Sequence, residues 1–180
     1  MSLTIRIARY DDLPRIVEIY NATIPSREVT ADTEPVSVES RRAWFEAHTP
    51  EHRPLWVAQS DAGIEGWLSM STFYGRPAYD GAAEVSVYID ASRRRRGTGS
   101  TLLQHALAQA PALGVENLIG FVFRHNAPSL RLFHRFGFER WGLLPGVAVL
   151  DLLPRDVLIL GRKLVGSRAS GSDPGRAATY

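Results

Sequence analysis

Between an apolar run, Val85 to Ile89, and a helical pattern beginning at Thr101 lies Arg93-Arg94-Arg95-Arg96-Gly97-Thr98-Gly99-Ser100. A basic, glycine-spaced turn from a strand into a helix constrains this chain more than any other stretch. The first turn of a helix leaves its N–H groups without partners, and the helix dipole adds partial positive charge there. Gly97 and Gly99 let an anion approach the backbone with no Cβ in the way. The arginines supply charge and forked donors suited to phosphate. The stretch predicts a pyrophosphate cradle; a solvated arginine turn that only caps a helix is the plainer alternative.

Spacing separates the kinds of cradle. A dinucleotide fingerprint needs a third Gly or Ala where this chain has Leu102, and a P-loop needs a Gly-Lys-Ser/Thr triplet that the sequence lacks. Arg94-x-x-Gly97-x-Gly99 remains. A net charge of +2 on 180 residues, and four arginines without flanking aromatic platforms, argue against nucleic acid. With no cysteine there is no disulfide framework, thiolate metal site or cysteine nucleophile. No apolar run approaches the ~18 residues of a membrane span. One cytoplasmic domain over residues 1–165, with a flexible, glycine-rich tail over 166–180, is expected.

Along the chain, Leu3, Ile5 and Ile7 alternate as in a half-buried strand. Asp11 and Asp12 open a helix carrying Leu13, Ile16, Val17 and Tyr20. A second helix is expected from Ser37 through Arg41, Trp44 and Phe45. His48 and His52 have metal-ligand spacing, but Pro50 lies between them and no third ligand is evident, so no metal is assigned. Leu55–Gln59 and Ile64–Phe73 read as a hairpin around Asp61-Ala62-Gly63. Glu84–Ile89 is a strand. The helix after Gly97 carries Leu102, Leu103, Ala106, Leu107 and Ala110, and Pro111 and Gly114 end it. Leu118–Phe123 reads as a strand buried on both faces. Asn126 caps a short helix that Gly137 stops. Final strands are expected at Phe138–Leu143 and Asp156–Lys163.

Taken together, Arg94-x-x-Gly97-x-Gly99, then Asn126-Ala127-Pro128-Ser129 and Leu132-Phe133-His134-Arg135-Phe136-Gly137-Phe138, resemble the GNAT superfamily of N-acetyltransferases. Ile19-Tyr20-Asn21, Thr33-Glu34-Pro35, Arg41-Arg42-Ala43-Trp44-Phe45, Arg76-Pro77-Ala78-Tyr79 and Glu84–Ile89 are similar to its phosphinothricin acetyltransferase-like branch. The likeness runs from about Ile5 to Leu164 and is weakest between Leu143 and Pro154.

The resemblance implies an α/β (α+β) fold: a mixed, mostly antiparallel sheet with two splayed central strands and helices on both faces. It implies acetyl-CoA as cosubstrate and acetyl transfer to the primary amine of a small molecule, such as phosphinothricin or methionine sulfone. A non-catalytic acyl-CoA-binding domain and a protein N-acetyltransferase are the alternatives. The pantetheine arm is expected along Val87, Tyr88 and Ile89, with the N–H of Tyr88 or Ile89 polarising the thioester carbonyl. The pyrophosphate is expected on the segment Arg94, Arg95, Arg96, Gly97, Thr98, Gly99 and Ser100. Asn126 and Ser129 are expected beside the pantetheine; a plain helix cap is the other reading of Asn126.

Glu84 holds the place of the branch's general base, which takes a proton from the ammonium. A polar strand residue in a surface pair is the alternative. Phe133 stands where relatives carry Tyr or His to protonate the leaving thiolate, and Phe cannot donate. His134, next along the helix, is read as a surface residue. Arg76 and Tyr79 precede Glu84 and are expected to bind the substrate, the arginine forking onto an acidic group. The apolar content of Gly146–Arg155 implies a less polar acceptor or packing against a second subunit, as in a homodimer.

Overall fold

Side chains alternate across a strand, and two adjacent strands, β2 (Leu55–Ser60) and β3 (Gly63–Thr72), use that alternation to build two cores. Trp56, Ala58, Leu68 and Met70 point to one side, where they meet Leu102, Leu103 and Ala106. Leu55, Val57 and Trp67 point to the other and meet Ile16 and Ile19. The computed structural model describes residues 3–164. The expected tail, residues 166–180, lies outside the described residues.

The remaining strands are β1 (Thr4–Ile7), β4 (Ala82–Ile89), β5 (Asn117–Phe123), β6 (Glu139–Leu150) and β7 (Leu153–Lys163). They form one sheet in the order β1-β2-β3-β4-β5-β7-β6, antiparallel except between β4 and β5. Helices α1 (Leu13–Asn21) and α2 (Arg42–Glu46) contribute to the core containing Trp67. Helices α3 (Thr98–Gln109) and α4 (Ala127–Arg135) contribute to the opposite one. Trp67 Nε1 donates to the buried Ile16 carbonyl at 3.0 Å and ties α1 to β3. The mixed sheet with helices on both faces is the expected fold.

Three local expectations are corrected. The second helix does not start at Ser37: a 3-10 turn, Glu39–Arg41, comes first, with Ser37 Oγ accepting from the Ser40 N–H at 3.1 Å. The last two strands are longer than expected and form a long hairpin. Strand β5 is buried on both faces except at Phe121, which is 41% exposed where the core of α1 and α2 does not reach.

Candidate active site

The parallel ladder between β4 and β5 has three pairs, Ala82 with Asn117, Ala83 with Leu118 and Glu84 with Ile119, and then stops. Both strands continue, to Ile89 and Phe123, so beyond Glu84 they diverge. Strand parity says which groups face the gap. The Gly81 carbonyl accepts from Asn117 N–H on the β5 side, whereas Asp90 N–H donates to Glu65 on the β3 side. Pairing of β4 with β3 is regular throughout. The N–H and C=O of Val85, Val87 and Ile89 therefore turn toward the gap. Of the two N–H groups considered for the thioester carbonyl, that of Tyr88 faces β3 opposite Trp67, and that of Ile89 faces the opening.

At the end of β4 the arginine turn is pinned from both sides. Asp90 accepts from Ser92 N–H and Oγ, each at 2.7 Å, and pairs with Arg15. These groups hold its carboxyl below the usual carboxylate range, against the effect of burial. At the helix end, buried Thr98 donates its hydroxyl to Glu65 at 3.2 Å, so that side chain faces the protein. Arg95 and Gly97 both take left-handed conformations, with φ of 63° and 90°. Left-handed residues set into a turn gather successive N–H groups into an anion-binding concavity. A Cβ built on Gly97 meets nothing within 4 Å, so its side of the backbone is open. Gly99 packs instead against Leu132 and Ile89. Arg94, Arg95 and Arg96 are exposed around the turn.

On the face away from α3, Glu84, Ser86 and Tyr88 of β4 stand opposite Ser71, Ser69 and Trp67 of β3. With Ile16, Val17, Tyr20, Val36, Arg41 and Trp44 they line a cavity of about 150 Å³. Tyr88 stacks on Trp67 with centroids 4.4 Å apart, and burial pushes its phenol far above the ordinary tyrosine range. Tyr20 donates to Asp32 at 2.5 Å. Arg41 lies over the Tyr20 ring at 4.9 Å and pairs with Asp32 at 2.9 Å. Glu84 is the one acidic residue of the lining and Arg41 the one basic residue. Burial raises the Glu84 carboxyl above its ordinary pKa, and among the described residues no cation pairs with it.

Arg76 and Tyr79 do not line this cavity. Arg76 is exposed, and Tyr79 packs on Phe73 and Tyr74. Asn126 caps α4 with Oδ1, which accepts from Ser129 N–H at 3.1 Å; its amide hydrogens are left to reach elsewhere. The Phe133 ring is buried between Gly120 and Phe138. His134 is exposed, its Nδ1 on the Phe138 carbonyl at 3.0 Å. Among the described residues no group of three acidic or histidine side chains could hold a metal.

The sequence model of the Acetyltransferase (GNAT) family matches residues 14–138. This chain belongs to the GNAT family. YwnH of Bacillus subtilis, named as a candidate phosphinothricin acetyltransferase, is 55% identical over 163 residues, covering 90% of this chain and 99% of that protein. The L-methionine sulfoximine/L-methionine sulfone acetyltransferase of Pseudomonas paraeruginosa is 34% identical, covering 82% and 86%. The phosphinothricin acetyltransferase of Sinorhizobium meliloti, solved in complex with acetyl-CoA, superposes with a TM-score of 0.87 at 27% identity, covering 97% and 95%.

As a GNAT enzyme the chain is an N-acetyltransferase that uses acetyl-CoA; the non-catalytic reading is not favoured. Three features of its own fit that cosubstrate: the broken ladder, the open backbone at Gly97, and the left-handed turn. No helix among the described residues is long and apolar enough to cross a membrane. Reading the sequence alone missed Arg15, Glu65 and Asp90, which pin the turn, and Arg41, Trp44 and Ser71 as cavity walls. Aspartate directly after a strand was the available signal for the first group; for the second, Arg41 and Trp44 stood in the quoted segments without a role.

Proposed function

We propose that this enzyme acetylates the primary amino group of a small, amino-acid-like substrate bound between Glu84 and Arg41. The observation that carries this reading is the cavity beside the strand opening, aromatic-walled, with one acid and one base in its lining. A substrate with an ammonium and an acidic group complements that pair. The names of the relatives point the same way, since phosphinothricin and methionine sulfone both carry an α-amino group and a carboxylate.

An ammonium of pKa ~10 must lose a proton before its nitrogen can attack. Glu84 is suited to receive it: burial already biases the carboxyl toward its protonated form. Arg41 presents a permanent forked cation to a carboxylate or phosphinate. Arg76 and Tyr79, the residues expected from the loop sequence, form the competing assignment.

Bound acetyl-CoA supplies the acetyl thioester. We assign its pantetheine to the open backbone of Val87 and Ile89, with Tyr88 serving the acceptor side. Its pyrophosphate goes to the turn from Arg94 to Ser100, where Thr98 contributes main chain only. Asn126, through its free amide hydrogens, and Ser129 flank the cleft. Phe133 offers no proton, and a thiolate of parent pKa ~8.5 leaves adequately without one.

We also propose a homodimer through the β6–β7 hairpin. Its edge strand exposes Trp141, Val147 and Val149, and Leu153 of β7 is also exposed. Sedimentation should show two copies, and Val149→Glu should give monomers; a monomeric parent protein refutes this.

The functional test is thiol release from acetyl-CoA with a panel of primary amines. Substrates bearing an acidic group should be preferred, and Arg41→Gln should raise their KM at least tenfold without changing KM for acetyl-CoA. If Arg76→Ala has that effect and Arg41→Gln does not, the loop assignment is correct and the cavity assignment fails.

A further inference from the structure

Ser71 of the cavity wall and His48 behind it form a polar pair that the acetyl transfer described above leaves without a role. His48 Nδ1 lies 2.7 Å from the Trp44 carbonyl, and its Nε2 lies 3.3 Å from Ser71 Oγ. A carbonyl only accepts, so Nδ1 carries the ring proton. Burial keeps the imidazole neutral by lowering its pKa, which the bond to Trp44 only partly opposes. Nε2 is then a bare lone pair, and the hydrogen between the two residues belongs to Ser71.

That direction matters for what Ser71 shows the cavity. A free serine hydroxyl either donates or accepts. One whose hydrogen is taken up by Nε2 has only lone pairs left to offer. Ser71 is the cross-strand partner of Glu84, and side chains so opposed share one face with Cβ atoms ~4.5–5.5 Å apart. Both line the cavity. A substrate ammonium has three donors, and leaving any of them unmet in an aromatic pocket is costly. Ser69 and Ser86 also carry hydroxyls there, but among the described residues neither has a partner fixing the direction of its hydrogen.

We propose that Ser71, its hydroxyl oriented by His48, is the second acceptor for the substrate's ammonium group beside Glu84, with His48 acting as a positioning residue. This rests on the acceptor site proposed above and deepens it: the site selects a protonated primary amine by presenting acceptors on two adjacent strands.

The test is steady-state kinetics on the full chain, using the primary amine of the panel that the unmodified enzyme turns over best. Ser71→Ala should raise KM for the amine about tenfold or more, the scale of one hydrogen bond to a charged group, with KM for acetyl-CoA unchanged. His48→Leu should do the same. His48→Gln, whose amide oxygen can accept the Ser71 hydrogen, should restore much of the loss. In the double variant Ser71→Ala/His48→Leu, the amine KM should be no higher than in Ser71→Ala alone. An unchanged amine KM in Ser71→Ala overturns the proposal, as does multiplication of the two single effects. If His48→Leu fails to fold, Ser71→Ala and His48→Gln decide it. Failure of Glu84 as base is a separate result, read from the turnover of Glu84→Gln.

Discussion

Gly97 and Gly99 sit two positions apart in the same motif, yet substitution by alanine should act on them in opposite directions. At Gly97 φ is 90° and an added Cβ meets nothing within 4 Å. The cost is backbone strain alone, about 1–2 kcal/mol for an L-residue in the left-handed region. For a domain of this size that lowers Tm by roughly 2–8 °C. The same Cβ projects into the space where an anion would approach the turn, so KM for acetyl-CoA should rise at least tenfold. At Gly99 φ is not positive, and the Cβ would lie 3.4 Å from Leu132 Cδ2 and 3.7 Å from Ile89 Cγ1, ordinary packing distances. The residue lies in the first turn of α3, where alanine gains about 0.5–1 kcal/mol over glycine. Gly99→Ala should therefore keep or raise Tm and leave acetyl-CoA kinetics nearly unchanged. Thermal melts paired with KM measurements on both variants decide it. A Gly97→Ala protein with unchanged Tm and unchanged KM would refute both the strain and the cradle.

Glu84→Gln should lower kcat about 10²–10⁴-fold, the range of a lost general base, and remove the acidic limb of the rate profile. Because burial raises the Glu84 pKa, the stability it contributes is present below its unfolded value and lost as pH rises through its folded value. The glutamine variant should thus gain Tm over its parent at neutral pH but not near pH ~4; an equal difference at both pH values rules this out. Gly120→Ala places a Cβ 2.9 Å from the Phe133 ring, so it should cost about 1–3 kcal/mol by overpacking. Adding Phe133→Leu should then destabilise Gly120→Ala less than it destabilises the parent, as denaturant midpoints will show; simple additivity would be the contrary result.

What the sequence made legible was local, because its signals are local. Strand, arginine turn, helix, strand and the Asn126 cap each follow from patterns a few residues long. The two final strands were expected, but their full length and the tight turn between them were not legible, because that turn lacks the usual marker. Asp151 and Leu152 both adopt positive φ, 49° and 66°, where Asn-Gly or Asp-Gly would normally announce a tight turn. Pro145 and Gly146 add to the disguise: they lie inside β6 at a register shift between Leu144 and Ala148, a place where a strand accommodates them. The site shows the same divide between local and long-range information. Alternation alone puts Glu84, Ser86 and Tyr88 on one face of β4. Which residues stand beside them depends on the register of β3 across the loop that holds Arg76 and Tyr79, and no short pattern encodes that register. Proximity in sequence favoured Arg76, eight positions before Glu84. The fold instead brings Arg41 and Trp44 over from α2 and its preceding turn, with Ser71 opposite Glu84 and His48 behind it. A candidate carboxylate can therefore be named from one strand and its family resemblance, whereas the chemistry that surrounds it is a property of the pairing between strands and of the helix laid across them.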